Sequence, residues 1–152
     1  KKAMPTELDQ TPTKNAINAL QSFINQYPNS SYVAECNTKM DELRLRLLKK
    51  VYENAKLYHS LGYYNSAMVA CQNAVDDYPD MIKRDELTFL MVDAAYLYAE
   101  NSITKKQLER YRETLEKVNE FNSEFDTNNK YSESVLKIKN KTEAAIAELN
   151  NE

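Results

Sequence analysis

The sequence predicts an all-α protein built as a tetratricopeptide-like helical repeat solenoid. Its 152 residues include one glycine, which excludes β-sandwiches, β-barrels and Rossmann-like phosphate loops, since these folds need many left-handed turn positions. Apolar residues recur at spacings of three and four, the period of a helix with one buried face. An alanine, tyrosine and proline pattern also occurs twice, 51 residues apart, and repetition near this period indicates stacked helix pairs.

Proline and glycine mark the ends of the first pair of helices. Thr11 is expected to cap the first helix, with Pro12 at the first helical position, and Pro28 ends that helix. A new cap is offered at residues 30–31, and nothing interrupts the chain from there to Gly62. We therefore expect a second helix of about 30 residues, well above the usual length of about 11 to 12.

The second pair of helices is delimited by residues of the same kinds. A third helix is expected from about Tyr63 to Asp77, with Pro79 as its stop. Asp80 can cap a fourth helix, which ends at residues 101–102.

The third pair starts with a capping box, in which Thr104 and Gln107 satisfy each other's free backbone N–H groups. The polar linker 126–129 then separates the fifth helix from a sixth. Apolar residues of the sixth helix form a narrow seam that suits packing on one neighbour. The prediction is thus about six helices in three pairs, forming one domain over residues 1–152 with repeats at roughly 11–61, 62–101 and 102–150.

Residues 58–79 carry the best copy of the repeat. An aromatic residue is followed by glycine four positions later, by alanine nine and sixteen positions later, and by proline after twenty-one. This arrangement resembles the tetratricopeptide repeat, in which small residues let two helices approach closely. Its usual period is about 34 residues, so lengthened helices are expected here. Across the chain, the positions assigned a structural role are Ala16, Tyr27, Pro28, Tyr58, Gly62, Ala67, Ala74, Tyr78 and Pro79.

Three phrases carry a closer resemblance. They read FINQYPNSSY at 23–32, ENAKLY at 53–58 and GYYNSA at 62–67. Together they are similar to the BamD family of bacterial outer-membrane assembly lipoproteins, over roughly residues 11–125. That family has about five repeats and a lipidated N-terminal cysteine. The resemblance therefore implies that this chain, which shows about three repeats, is the C-terminal part of a longer lipoprotein.

The resemblance also implies a function. The chain would be a non-enzymatic scaffold on the periplasmic face of the outer membrane, attached only through a lipid anchor outside this sequence. It would bind the periplasmic domains of a BamA-type insertase, and unfolded outer-membrane proteins are further candidate partners. No cofactor is expected, and the net charge of −3 argues against nucleic acid.

Two other classes stay open. One is a peptide-binding adaptor, either of the TolA-binding cell-division coordinator type or a co-chaperone that clamps extended tails; Asn54 and Lys56 are the side chains suited to such a clamp. The other is an enzyme, which we do not expect because no motif pairs His59 with a nucleophile. Cys71, and by extension Cys36, are interpreted as small buried hydrophobes.

The candidate partner-binding residues fall into two groups. Basic residues at the start of the fifth helix are placed unfavourably at the positive helix end, which hints at an acidic partner. Tyrosine is typical of protein interfaces, and the first helix of each pair in a solenoid faces its concave side. The predicted residues are Lys105, Lys106, Arg110, Arg112, Tyr52 and Tyr96.

Overall fold

A computed structural model describes residues 10–79 and 83–151. These residues form six α-helices and no strand, as expected of a tetratricopeptide-like helical repeat, so the predicted fold class is confirmed. The predicted cap Asp80 lies outside the described residues. The helices are α1 (Thr11–Gln26), α2 (Val33–Ser60), α3 (Tyr64–Asp77), α4 (Arg84–Glu100), α5 (Thr104–Glu124) and α6 (Ser132–Asn150).

The chain forms two compact units, unit 1 (Lys1–Lys50) and unit 2 (Val51–Glu152), and the division falls within α2. The single repeat domain over residues 1–152 stays a prediction. In the described part of the chain, no helix combines the length and the apolar character needed to cross a membrane.

Unit 1 contains α1 and the first part of α2. The predicted cap at Thr11 is wrong by one residue, because Gln10 occupies the N-cap and Thr11 is already helical. No residue of α1 is fully buried, although Met40 and Leu47 of α2 are. The apolar stripe of α1 is therefore only partly covered.

Unit 2 is organised around α4, which packs against α3, α5 and α6. The expectation that α6 packs on one neighbour is wrong, because α6 contacts α4 as well as α5. Three helices supply the central core cluster, and the phenylalanine of α5 in this cluster has no exposed surface. The cluster consists of Val92, Val118, Phe121, Val135 and Ile138.

Equivalent repeat positions end their helices in the same way. The backbone N–H of an aromatic residue donates to the carbonyl four residues earlier, at 2.9 Å for Tyr27, 3.0 Å for Tyr78 and 2.9 Å for Phe125. Tyr27 and Tyr78 lie 51 residues apart in the two strong copies, and Phe125 lies 47 residues after Tyr78 in a third, weaker copy. The weaker copy thus shares this local geometry with the other two.

Gly62 closes α2 in a left-handed conformation, with φ of 79°. Its N–H donates to the His59 carbonyl at 3.1 Å, and the Tyr63 N–H donates to the Tyr58 carbonyl at 2.9 Å. This is the Schellman motif, which satisfies carbonyls that a helix end leaves free. The predicted role of Gly62 as a turn residue is confirmed.

The capping box predicted at α5 is wrong. Ile103 occupies the N-cap, and no side chain caps this helix end. The Gln107 amide instead donates to the carbonyls of Ala99 at 3.3 Å and Glu100 at 3.2 Å, at the end of α4. These terminal carbonyls lack helical partners, so Gln107 joins two helices and leaves the start of its own uncapped.

Candidate partner-binding surfaces

Two of the four basic side chains of α5 contact other residues of the chain, and two do not. Lys106 pairs with Glu109 at 3.3 Å. Arg110 lies 4.0 Å from the centroid of the Tyr98 ring and donates to the Ser102 hydroxyl. These two cations are used within the chain, since the guanidinium of arginine stacks favourably on an aromatic ring.

The other two predicted cations are available to a partner. Lys105 and Arg112 are exposed, and neither side chain forms a hydrogen bond or an ion pair within the described residues. Both line a shallow depression along the outward face of α5, together with Leu108. Five charged residues line this depression, and we call the four that follow a 4-3-4 spacing the α5 stripe: Lys105, Glu109, Arg112 and Glu116; the fifth is Glu113.

Tyr52 is held by lysines of the same unit. Its ring centroid lies 4.3 Å from Lys83 Nζ and 5.1 Å from Lys56 Nζ. The Lys56 ammonium donates to the Tyr52 hydroxyl at 3.2 Å and lies 3.5 Å from Glu86. The bond to Tyr52 raises the pKa of Lys56 above its ordinary value. Neither side chain is therefore free, which also weakens the peptide clamp predicted to use Lys56.

Tyr96 belongs to the edge of the core. It packs against the core cluster, and its ring centroid lies 6.1 Å from that of Tyr111. Its hydroxyl donates to Glu100 at 3.3 Å, and burial raises its pKa above the ordinary value. Tyr96 thus has a packing role, and only part of its side chain is exposed to a partner.

The sequence did not predict a depression in unit 1, which we call the unit 1 groove. It lies between α1 and the first part of α2 and has a volume of about 740 Å³. Tyr32 at its margin is 63% exposed, which is high for so large an apolar side chain. The lining residues are Ala19, Leu20, Phe23, Tyr32, Glu35, Cys36, Lys39, Glu42, Leu43 and Arg46.

One sequence signal could have indicated the groove. Charged residues alternate in sign along one side of α2 at 35, 39, 42 and 46, a 4-3-4 spacing that places them on one face. Apolar residues at 36 and 43 lie directly beside them. Such a face is neither a core stripe nor a uniformly polar surface, so it is typical of a surface that contacts another molecule.

The histidine and the two cysteines, which are the candidate catalytic side chains, contact other residues of the chain or are at least partly buried. His59 Nε2 lies 2.6 Å from Asp93 Oδ2, and its ring meets Tyr64 edge-on at 5.8 Å. Cys71 is buried, and burial raises the pKa of its thiol to about 12, which disfavours the reactive thiolate. Cys36 is only partly buried, so its interpretation as a buried hydrophobe is wrong. The described residues contain no cluster of three metal-ligating side chains.

Comparison with known proteins adds the family. Residues 1–115 match YfiO, described as an outer membrane lipoprotein. The chain belongs to the YfiO family. The match extends from unit 1 into α5 and covers most of the α5 stripe, so the BamD resemblance is confirmed at the level of this family. The family description associates YfiO proteins with the outer membrane. The search of curated proteins found no match to the chain.

Proposed function

We propose that this chain is a non-enzymatic scaffold subunit of the outer-membrane β-barrel assembly machinery. It would bind the periplasmic domains of a BamA-type insertase, at the periplasmic face of the outer membrane. The observation that carries the proposal is the family match over residues 1–115. In the full-length protein a lipid anchor would hold the scaffold at the membrane, and this chain would be its C-terminal part.

The α5 stripe is the surface that we assign to the insertase. The inner face of α5 is held in place, because Tyr111, Thr114 and Val118 are buried within unit 2. A rigid helix presents its outward side chains at low entropic cost, which favours binding. Lys105 and Arg112 are unpaired in the described chain, so acidic side chains of a partner can bind them without breaking an existing contact.

The absence of catalysis is part of the same proposal. His59 is held by Asp93 and Tyr64, and Cys71 lies inside the packed unit 2. An acid–base or nucleophilic site requires these groups to face a substrate. Their observed contacts support structural roles.

The test is binding of the full chain to purified periplasmic insertase domains, measured by calorimetry. The informative variant carries Lys105→Glu with Arg112→Glu, which reverses both free cations. We expect its Kd to rise by about tenfold or more, because reversed rim charges repel the acidic partner. The matched control carries Lys137→Glu with Lys139→Glu, an equal charge change on α6, where both lysines already pair within the helix.

The outcomes separate the function from its surface. No binding by the unchanged chain would contradict the proposed function, and binding to extended peptides instead would favour the peptide-binding adaptor. Equal binding by the unchanged chain and the Lys105 and Arg112 variant would contradict the α5 stripe as the contact and leave the scaffold function standing.

A further inference from the structure

The unit 1 groove and the α5 stripe carry matching charge patterns. Along the groove, α2 presents glutamate, lysine, glutamate and arginine at 35, 39, 42 and 46. Along its depression, α5 presents lysine, glutamate, arginine and glutamate at 105, 109, 112 and 116, and Glu113 beside them is the one further charged residue of the lining. Both sets follow the same 4-3-4 spacing, and the signs are opposite at every position. We call the first set the α2 stripe: Glu35, Lys39, Glu42 and Arg46.

These charges are largely unused within the chain. Neighbours of opposite sign lie three or four residues apart in each stripe, at spacings that permit ion pairs. In the described chain, however, the α2 stripe forms no ion pair, and in the α5 stripe only Glu109 does, with Lys106 outside it. All eight side chains are exposed. Both stripes can therefore contact another molecule.

We propose that α5 of one copy docks into the unit 1 groove of a second copy, with α5 parallel to α2. In this register Glu35 faces Lys105 of the other copy, and the three following positions likewise pair opposite charges. Reversing the direction of α5 would face Glu35 with Glu116 and place like charges together at all four positions. The sign pattern thus selects both the occupant and its direction.

The apolar contribution to this contact is small. Leu108 lines the same depression as the α5 stripe and is partly buried. It would contact the apolar lining of the groove, where Leu20, Phe23 and Leu43 are partly exposed. One leucine contributes little compared with a protein interface core. The association is therefore weak, and it depends on salt because its register is set by exposed charges.

The contact is heterologous, since each copy offers the groove from unit 1 and the α5 stripe from unit 2. Such contacts form rings or open chains of copies. The inference uses the stripe that we assigned to the insertase, so the two partners would compete for it. A groove variant distinguishes the two proposals, because it leaves the α5 stripe unchanged.

The experiment is sedimentation velocity of the full chain over a wide concentration range at low ionic strength. We expect the weight-average sedimentation coefficient to rise with concentration and to fall when salt is added. Lys39→Glu with Arg46→Glu should weaken self-association by about tenfold or more, because two of the four pairs become repulsive. The control Lys14→Glu with Arg44→Glu makes the same charge change at exposed residues outside the groove lining and should behave as the unchanged chain.

A charge swap tests the register itself. Glu109→Lys with Glu116→Lys should weaken self-association as the groove variant does, whereas a chain carrying all four substitutions again pairs opposite charges at every position. We expect that combined chain to associate at least as strongly as the unchanged protein. A monomer at every concentration, a groove variant that associates normally, or a combined chain that fails to recover would each overturn the inference.

Discussion

The two units differ in how completely their helices are covered. In unit 2, seven residues of α4 are buried, and the helix is packed on three sides by α3, α5 and α6. In unit 1, α1 has no buried residue, and a groove of about 740 Å³ runs beside it. The same repeat pattern therefore occurs in a packed core and in a helix whose apolar side is only partly buried.

The difference shows what a repeat sequence specifies. Phe23 and Phe121 occupy matching places, and each contacts the aromatic residue that ends its helix, with ring centroids 5.3 and 5.0 Å apart. Phe121 is nevertheless fully buried, while Phe23 lines the open groove. The local pattern determines how the helix ends, whereas burial depends on which helices pack around it.

This matched pair should show the largest difference in stability. Phe121→Ala removes a ring from the core cluster, and we expect the free energy of unfolding to fall by about 3–5 kcal/mol. Phe23→Ala should cost less, about 1–2 kcal/mol, because part of this ring is already exposed to solvent. Urea unfolding followed by circular dichroism measures both. Equal losses would mean that the two units are packed alike.

Arg84 should show the next largest effect, since it connects separate helices of unit 2. Its guanidinium donates to the Val75 carbonyl at 2.8 Å and also pairs with Glu124. Arg84→Met should lower the unfolding free energy by about 1–3 kcal/mol, because a partly buried carbonyl loses its donor. In unit 1, Gln21→Ala removes only a bond to Asn25 within the same helix.

The same urea unfolding measurement compares these two variants. We expect the Gln21 variant to lose less than about 0.5 kcal/mol. A loss as large as that of the Arg84 variant would contradict the distinction between long-range bonds in unit 2 and local bonds in unit 1.

The helix ends provide a smaller comparison. Gly62 has φ of 79°, and a Cβ atom added there would meet nothing within 4 Å. Gly62→Ala should therefore cost about 1 kcal/mol through backbone conformation alone, and Gly62→Asn should cost less. The end of α1 needs no such residue, because Tyr27 has φ of −129°. Thermal unfolding in which the alanine and asparagine variants lose equal stability would argue against this backbone origin.

The two cysteines should differ in their reactivity towards a thiol reagent. A thiol reagent should label Cys36 in the native chain, since it is partly exposed in the groove lining. It should label Cys71 only after unfolding. Mass spectrometry of labelled peptides distinguishes the two sites. Rapid native labelling of Cys71 would contradict the packing of unit 2.

Cys71 also predicts a pH dependence. Burial raises the pKa of its thiol from about 9 to about 12, so the folded state favours the protonated form. Its stabilising contribution is complete below pH 9 and is lost as the pH rises from about 9 towards 12. The Cys71→Ala variant should lack this part of the alkaline loss of stability. Identical alkaline profiles for the two proteins would contradict the assignment.

Much of the fold could be predicted because its signals are local. Proline and glycine mark helix ends through their own backbone preferences, and the left-handed Gly62 is an example. The capping box failed because Gln107 bonds to the end of another helix, which its immediate sequence does not reveal. Thr11 likewise resembled a cap, although Gln10 takes that place.

The candidate surfaces were predicted less well, because they depend on contacts between distant residues. Arg110 and Lys105 look equivalent in the sequence, but only Arg110 meets Tyr98 from another helix. The partner of His59 lies 34 residues away. The unit 1 groove requires α1 to leave part of α2 uncovered, and an apolar stripe alone does not indicate how fully it is covered.

Hydrogen exchange on the intact chain tests the difference between the units most directly. Backbone amides of α4 should exchange most slowly, near the rate set by global unfolding, because the surrounding helices must separate first. Amides of α1 should exchange at least about a hundredfold faster, through local opening of a helix with no buried residue. Equal protection of α1 and α4 would contradict the division into a packed unit 2 and an open unit 1.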